Sequence, residues 1–231
     1  MLPRMLPRVL EAEVMDTIED AEEYDAMDFT ASNRAFAEAA IALVGDAPRP
    51  RVLDLGTGTA QIPLLLLEMH PRATVVAVDL SGPMIEVAAR RARSSPHRDR
   101  LELVLGDAKS EAPGSGTFDL VMSNSVAHHI PDPTVLFRQL ARAARPGGAV
   151  LVRDLFRPAS HEEAWAVVNR VSPNDSDKQK RLFFDSLCAA LTPDEVREMA
   201  ARAGLGDARV PTVSDRHWSL ERALRRSSDE R

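Results

Sequence analysis

Cysteine, tyrosine, basic excess and long apolar runs are all scarce in this sequence. Cys188 is the only cysteine in 231 residues. No intramolecular disulfide can form, which suits a reducing, cytoplasmic setting. Cys188 lies in the apolar helical pattern Leu182 to Ala190 and reads as core rather than as a nucleophile. No apolar run approaches the roughly 18 residues of a membrane span, and the start has no apolar core of signal-peptide length, so no membrane attachment is expected. The aromatic set is one tyrosine, two tryptophans and seven phenylalanines, so a pocket lined for a large planar ligand is not indicated. A formal net charge of −6 argues against a broad nucleic-acid surface. What is present, 44% hydrophobic and 28% charged residues, is ordinary for a globular chain. The length suits one α/β domain with additions.

The most informative stretch is Val52-Leu53-Asp54-Leu55-Gly56-Thr57-Gly58-Thr59-Ala60-Gln61. A short apolar run is followed by two glycines and two threonines. Ile62, Leu65, Leu66 and Met69 then share one helical face. This reads as strand, tight turn, helix. Glycine lets the backbone approach a ligand, and the following helix aims free N–H groups at it. The spacing is not that of a dinucleotide site, because Gln61 stands where G-x-G-x-x-G needs its last glycine. Asp54, two residues before Gly56, suits a ligand with a cationic amino group better than a pyrophosphate.

Two further strands end in acids. Ala73 to Val78 is apolar on both faces, as in a buried parallel sheet, and closes on Asp79. About 20 residues beyond the glycines, α/β nucleotide sites place an acid on ribose hydroxyls. Leu101 to Leu105 ends in Gly106-Asp107-Ala108. A fourth strand, Thr117 to Ser123, runs into Asn124-Ser125-Val126-Ala127-His128-His129-Ile130-Pro131-Asp132. A helix from Pro133 and the turn Arg145-Pro146-Gly147-Gly148 lead to a fifth strand, Ala149 to Val152.

These motifs, in this order, resemble the class I S-adenosylmethionine (SAM)-dependent methyltransferases of small-molecule type. Their first motif is D/E-x-G-x-G-x-G, and this chain departs from it only at Ala60. F-D-x-V before an H-H-x-P-D segment and the R/K-P-G-G turn are similar too. The resemblance covers roughly residues 20 to 222. It implies SAM as cofactor, held by Asp54, Gly56, Gly58, Thr59, Asp79, Leu80, Asp107, Ala108 and Asn124, with Asp107 accepting from the adenine amino group. It implies a small-molecule acceptor near His128 and His129, either of which would serve as base. No metal ligand set is expected. Arg153, Asp154 and Arg157 follow the fifth strand at the same rim, and would hold an acidic substrate or pair with one another. N-terminal helices of the family often lie over the cofactor, which puts Tyr24, Asn33 or Arg34 near it. Other readings are a nucleic-acid methyltransferase, a catalytically silent SAM-binding regulator and an NAD-linked oxidoreductase. Asn124 to Ala127 is not the N/D-P-P-Y/F of amino-directed nucleic-acid enzymes.

The expected fold is a doubly wound, Rossmann-like, mostly parallel seven-stranded sheet with an antiparallel C-terminal strand pair, Ala208 to Val213 and His217 to Leu220. The acidic run from Glu11 to Asp28 reads as a solvated helix face. Ser32 or Asn33 is the expected cap of the helix through Phe36 and Val44. Residues 1–20 are expected to be a flexible extension, 21–222 the domain, and 223–231 a disordered tail. Segments about 21–45 and 160–190 are expected to form a lid.

Overall fold

In a computed structural model, residues 6–11, 17–110, 114 and 116–225 are described. The first five residues and residues 12–16 of the expected extension, residues 111–113 and 115, and residues 226–231 of the expected tail lie outside them.

Six strands form one sheet: β1 (Arg51–Leu55), β2 (Thr74–Asp79), β3 (Leu101–Leu105), β4 (Phe118–Asn124), β5 (Ala144–Leu155) and β6 (His217–Arg222). Their order is β3-β2-β1-β4-β5-β6. All pairings are parallel except β5 with β6. The strand order reverses between β1 and β4, and their C-terminal ends open the crevice where such sheets take ligands. The first five strands lie where expected, except that β5 begins at Ala144 and takes in the expected turn Arg145 to Gly148, with Ala144 paired to Phe118 ahead of a register shift.

The expected seventh strand is a correction. Residues 208–213 contribute only the isolated bridges Arg209 to Glu221 and Thr212 to Trp218. Arg209 exchanges both backbone bonds with Glu221, and Ser219 N donates to Pro211 O. Pro211 has no N–H to return, so the ladder breaks at its middle, as proline permits only at a sheet edge.

Eight α-helices lie among the described residues: α1 (Ile18–Asp25), α2 (Thr30–Val44), α3 (Gln61–Met69), α4 (Gly82–Arg93), α5 (Thr134–Ala143), α6 (His161–Val171), α7 (Asp177–Ala189) and α8 (Pro193–Arg202). Alternate strand residues supply the two faces. Val52, Val75, Ala77, Leu120, Met122 and Leu151 pack with Phe36, Ala40 and Leu66 of α2 and α3. Leu53, Val76, Val121, Val150 and Val152 pack with Phe137, Leu140 and Val196 of α5 and α8. Each buried large apolar side chain contributes about 1.5–3 kcal/mol, so this two-layer burial holds the sheet. Cys188 is buried in a third cluster with Ala164, Val168 and Phe184, where α6 meets α7, as core as its pattern implies.

The caps explain the helix starts. Thr192 and Glu195 form a capping box, and Ser176 with Gln179 forms another. Ser160 caps α6 by accepting from Glu163 N. Neither Ser32 nor Asn33 caps α2, which starts at Thr30 after the cap position Phe29, with Asp28 Oδ1 accepting from Thr30 N. At the C-terminal side, Leu224 N and Arg225 N donate to Leu43 O and Gly147 O, tying down the first residues beyond β6. No helix among the described residues is long and apolar enough to cross a membrane.

Candidate active site

The turn after β1 is stitched to β2. Gly56 N and Thr57 N both donate to Val78 O, at 2.8 and 2.9 Å. Gly58 N donates to Asp79 Oδ2 at 2.7 Å, and Ser81 N donates to Asp79 Oδ1 at 2.9 Å. Gly56 has φ +77°, and a Cβ there would lie 2.2 Å from a Val126 methyl, so backbone angle and space both demand glycine. Ala60 stands at φ +58° and ψ +28°, in the left-handed region. The family's third glycine is therefore a conformational requirement, and alanine meets it at a cost of about 1–2 kcal/mol.

Asp54 is buried at the centre of the sheet, 2% exposed. Burial pushes its carboxyl up to about 7, with the Thr57 hydroxyl opposing the change and the Asp79 charge adding to it. Burial also raises Asp79, against the backbone N–H groups of Ser81, Gly58 and Leu80. A pair of acids raised in this way can take a cationic, hydroxyl-bearing ligand. Thr59 and Ala108 are buried, whereas Leu80 and Leu105 expose 47% and 63% of their surface beside the β2 and β3 ends. Asp107 Oδ1 accepts from Lys109 N at 2.8 Å and lies 3.3 Å from Lys109 Nζ. Asn124 ends β4 opposite Arg153 on β5.

Over the turn lies α1. The Tyr24 ring stands 3.7 Å from where a Gly58 Cβ would be. It packs on Phe29, with ring centroids 5.1 Å apart. Burial raises the Tyr24 hydroxyl to about 12, helped by the charges of Asp79, Asp25 and Asp54. Asn33 Nδ2 donates to Gln61 Oε1 at 3.0 Å, whereas Arg34 is exposed. Two clefts, of about 460 and 480 Å³, lie elsewhere, the first beside Glu22, Val87 and Arg90 and the second beside Phe156 and Ala166.

On the other side of the β1–β4 crevice, a 3₁₀ turn over Ala127–His129 presents the two histidines. His128 Nδ1 lies 2.6 Å from Asp154 Oδ1, and His128 N donates to Asp154 Oδ2. Asp154 thus pairs with neither Arg153 nor Arg157. Arg157 donates to Glu195 Oε1 and Ala190 O, and the Arg153 guanidinium lies 5.4 Å from the Phe36 ring centroid. Burial lowers the His128 pKa, but the adjacent Asp154 carboxylate and Glu11 more than reverse this, so it ends raised. Burial raises Asp154, but the His128 charge outweighs it and holds Asp154 below its ordinary value. Each partner thus favours the charged form of the other, with Nε2 turned away from Asp154.

What Nε2 faces comes from the far end of the chain. Residues 6–11 cross this side of the molecule as a strap. Arg8 donates to the carbonyls of Ala189, Pro131, His128 and Ile130, at 2.6 to 3.1 Å. Val9 N donates to Cys188 O. Glu11, expected on a solvated acidic face, is instead largely covered, with its side chain 11% exposed. Its Oε1 lies 2.9 Å from His129 Nδ1 and 3.5 Å from His128 Nε2, and its Oε2 accepts from Ser186 Oγ at 2.9 Å. Glu11, His128 and His129 bring one donor atom each within 4.8 Å of one another, a spacing that could also hold a metal ion. Nothing local in the sequence marks Arg8, Glu11 or Ser186. Asp154 had a signal: it follows the strand that neighbours the one before His128.

A family profile described as a methyltransferase domain matches residues 53–152. The chain is 35% identical to the malonyl-[acyl-carrier protein] O-methyltransferase of Halalkalibacterium halodurans over 46% of its own length and 39% of that protein's. It is 26% identical to the demethylmenaquinone methyltransferase of Desulfitobacterium hafniense over 88% of its own length and 86% of that protein's. The chain thus spans about two fifths of the first relative and most of the second. A SAM-dependent methyltransferase from Aquifex aeolicus has the same fold, with a TM-score of 0.63 at 16% identity, over 90% of this chain and 99% of that one. The matched domain begins in β1 and ends in β5, the part of the sheet that carries the glycine turn, the acids at the strand ends and the histidine pair. Residues 53–152 are thus a methyltransferase domain, and over most of its length the chain is similar to SAM-dependent methyltransferases, whose cofactor is S-adenosylmethionine.

Proposed function

We propose that this protein moves the SAM methyl group to a small-molecule acceptor that enters beside His128 and His129. One observation carries the reading. The acid-lined glycine turn and the pair of buried His128 and half-buried His129 stand on opposite sides of one crevice, at the C-terminal edge of one sheet. Asp54 takes the cofactor's ammonium group. Asp79 takes the ribose hydroxyls. Asp107 and Ala108, with the exposed Leu80, take the adenine. Gly56, Gly58 and Thr59 let the backbone approach, and Asn124 borders the methionine end.

The sulfonium methyl is already activated. Transfer needs an acceptor atom aligned within about 3–3.5 Å of it. A bond forms from that atom to the methyl carbon, the S–C bond breaks, and its electron pair stays on sulfur. His128, oriented by Asp154, presents Nε2 to the acceptor. Neutral, it takes a proton from a hydroxyl; protonated, it clamps an anionic oxygen.

Calorimetry with S-adenosylhomocysteine, followed by a SAM-consumption screen over phenols, amines, thiols and carboxylic acids, tests this. His128→Ala or His129→Ala should lower the transfer rate at least about tenfold, within the usual range for such groups, while cofactor affinity moves less than about threefold. A folded protein that binds neither SAM nor its product would end the cofactor assignment. Full rates in both variants would remove the histidines from the reaction.

A further inference from the structure

The acceptor side of this crevice already holds a carboxylate, and it belongs to the chain itself. Glu11 is not part of the sheet or of a helix. It arrives on a strap fixed by Arg8 and Val9, and it is the strap's one side chain paired with the histidines. Its charge matches the site: Asp154 favours the cationic form of His128 from behind, and Glu11 meets the front. Its geometry does not match. Oε1 and His129 Nδ1 are 2.9 Å apart but off the line of a well-aligned hydrogen bond, and Oε1 stands 3.5 Å from His128 Nε2. A carboxylate free of the strap can align with both rings.

We propose that the acceptor is a small carboxylic acid whose carboxylate displaces Glu11, binds between His128, His129 and Ser186, and takes the methyl group as an ester. The proposal rests on the functional reading above, that the acceptor meets this histidine pair. A carboxylate is ionised at neutral pH and needs no base. One of its oxygens attacks the methyl carbon, the S–C bond breaks, and the pair remains on sulfur. The acceptor's negative charge and the cofactor's sulfonium charge vanish together, and no proton moves. The methyl ester then lacks the charge that held it, and Glu11 returns to the histidines as the product leaves.

The test uses the full chain with a panel of C2 to C6 mono- and dicarboxylic acids, their primary amides, and phenols and amines for comparison, followed by S-adenosylhomocysteine formation. At least one acid should be turned over with its amide inert. Glu11→Ala and Glu11→Gln remove the internal competitor, so KM for that acid should fall at least about fivefold with kcat within about twofold. If the protein binds S-adenosylhomocysteine and methylates phenols or amines but no acid, this proposal falls and the methyltransferase reading stands. If S-adenosylhomocysteine does not bind, the cofactor reading fails first and takes the proposal with it. A rise in KM, or a large loss of kcat, in both Glu11 variants would make Glu11 part of the machinery and overturn its role as a stand-in. So would tight Zn²⁺ binding that Glu11→Gln abolishes, since Glu11 would then be a metal ligand.

Discussion

Asp54→Asn should make the ligand-free protein more stable and the cofactor complex weaker, with the first effect growing as pH rises. Asp54 is fully enclosed, and burial, with Asp79 nearby, places its pKa at about 7 against an ordinary aspartate value of 3.8. The folded value lies above the unfolded one. The group's contribution to stability is therefore fully present below about pH 3.8 and is lost as pH rises through about 7. A tenfold change in proton affinity is worth about 1.4 kcal/mol, so the ceiling on the loss is about 4 kcal/mol. Part of that is already gone at pH 5. The advantage of Asp54→Asn over the parent should grow by about 2–3 kcal/mol between about pH 5 and pH 8.5. Comparing the two proteins cancels every other titrating group that the substitution does not touch. The assay is urea unfolding of the ligand-free proteins at both pH values. Cofactor binding gives the converse. An ammonium beside Asp54 favours its ionised form, so binding near pH 6.5 should release most of one proton, seen as a calorimetric heat that depends on the buffer. Asp54→Asn should abolish the release and weaken S-adenosylhomocysteine at least about tenfold, the value of one charge-assisted contact. A stability difference that stays flat across this pH range would refute the buried, raised carboxyl. A release that survives in the variant would move it to another group.

The remaining predictions concern the turn and the covering helices. Asp79→Ala removes the acceptor of Gly58 N and Ser81 N as well as that of the ribose hydroxyls, so cofactor affinity should drop about 10- to 150-fold, and titration calorimetry on the folded variant checks it. Ala60→Gly relieves a left-handed alanine, and after the larger unfolded-state entropy of glycine the net gain should be about 0.5–1 kcal/mol in denaturant unfolding; a destabilised variant would mean that the alanine methyl packs usefully. Hydrogen exchange in α1, α2 and residues 171–190 should slow when S-adenosylhomocysteine is added, and unchanged exchange would leave these segments as ordinary structure rather than a lid.

Local pattern determined a good deal about this protein. The short apolar runs of Val52 to Leu55 and Val75 to Val78, the glycines between strand and helix, and the caps at Thr192 and Ser160 act over a few residues, so they are legible without tertiary context. Asp79 closes β2, Asp54 is the last residue but one of β1 and Asp107 lies two residues past β3, which places them at one edge from the sequence alone, and parallel pairing brings them there. Other features were decided only in three dimensions. Pro211 sits between Val210 and Thr212 in a segment of strand-like composition, but the sheet needs its missing N–H, and the expected seventh strand shrinks to two bridges. The third position of the glycine motif takes φ +58° because β1 must turn directly into α3, a demand that alanine gives no sign of in the sequence. Asp154 joins His128 across 26 residues, and Glu11 reaches the same ring from near the start of the chain, both through carboxylate–imidazole contacts. Partners so far apart leave no periodicity. Their pairing follows from burial, since a charge taken out of water must find its opposite wherever the fold has placed it.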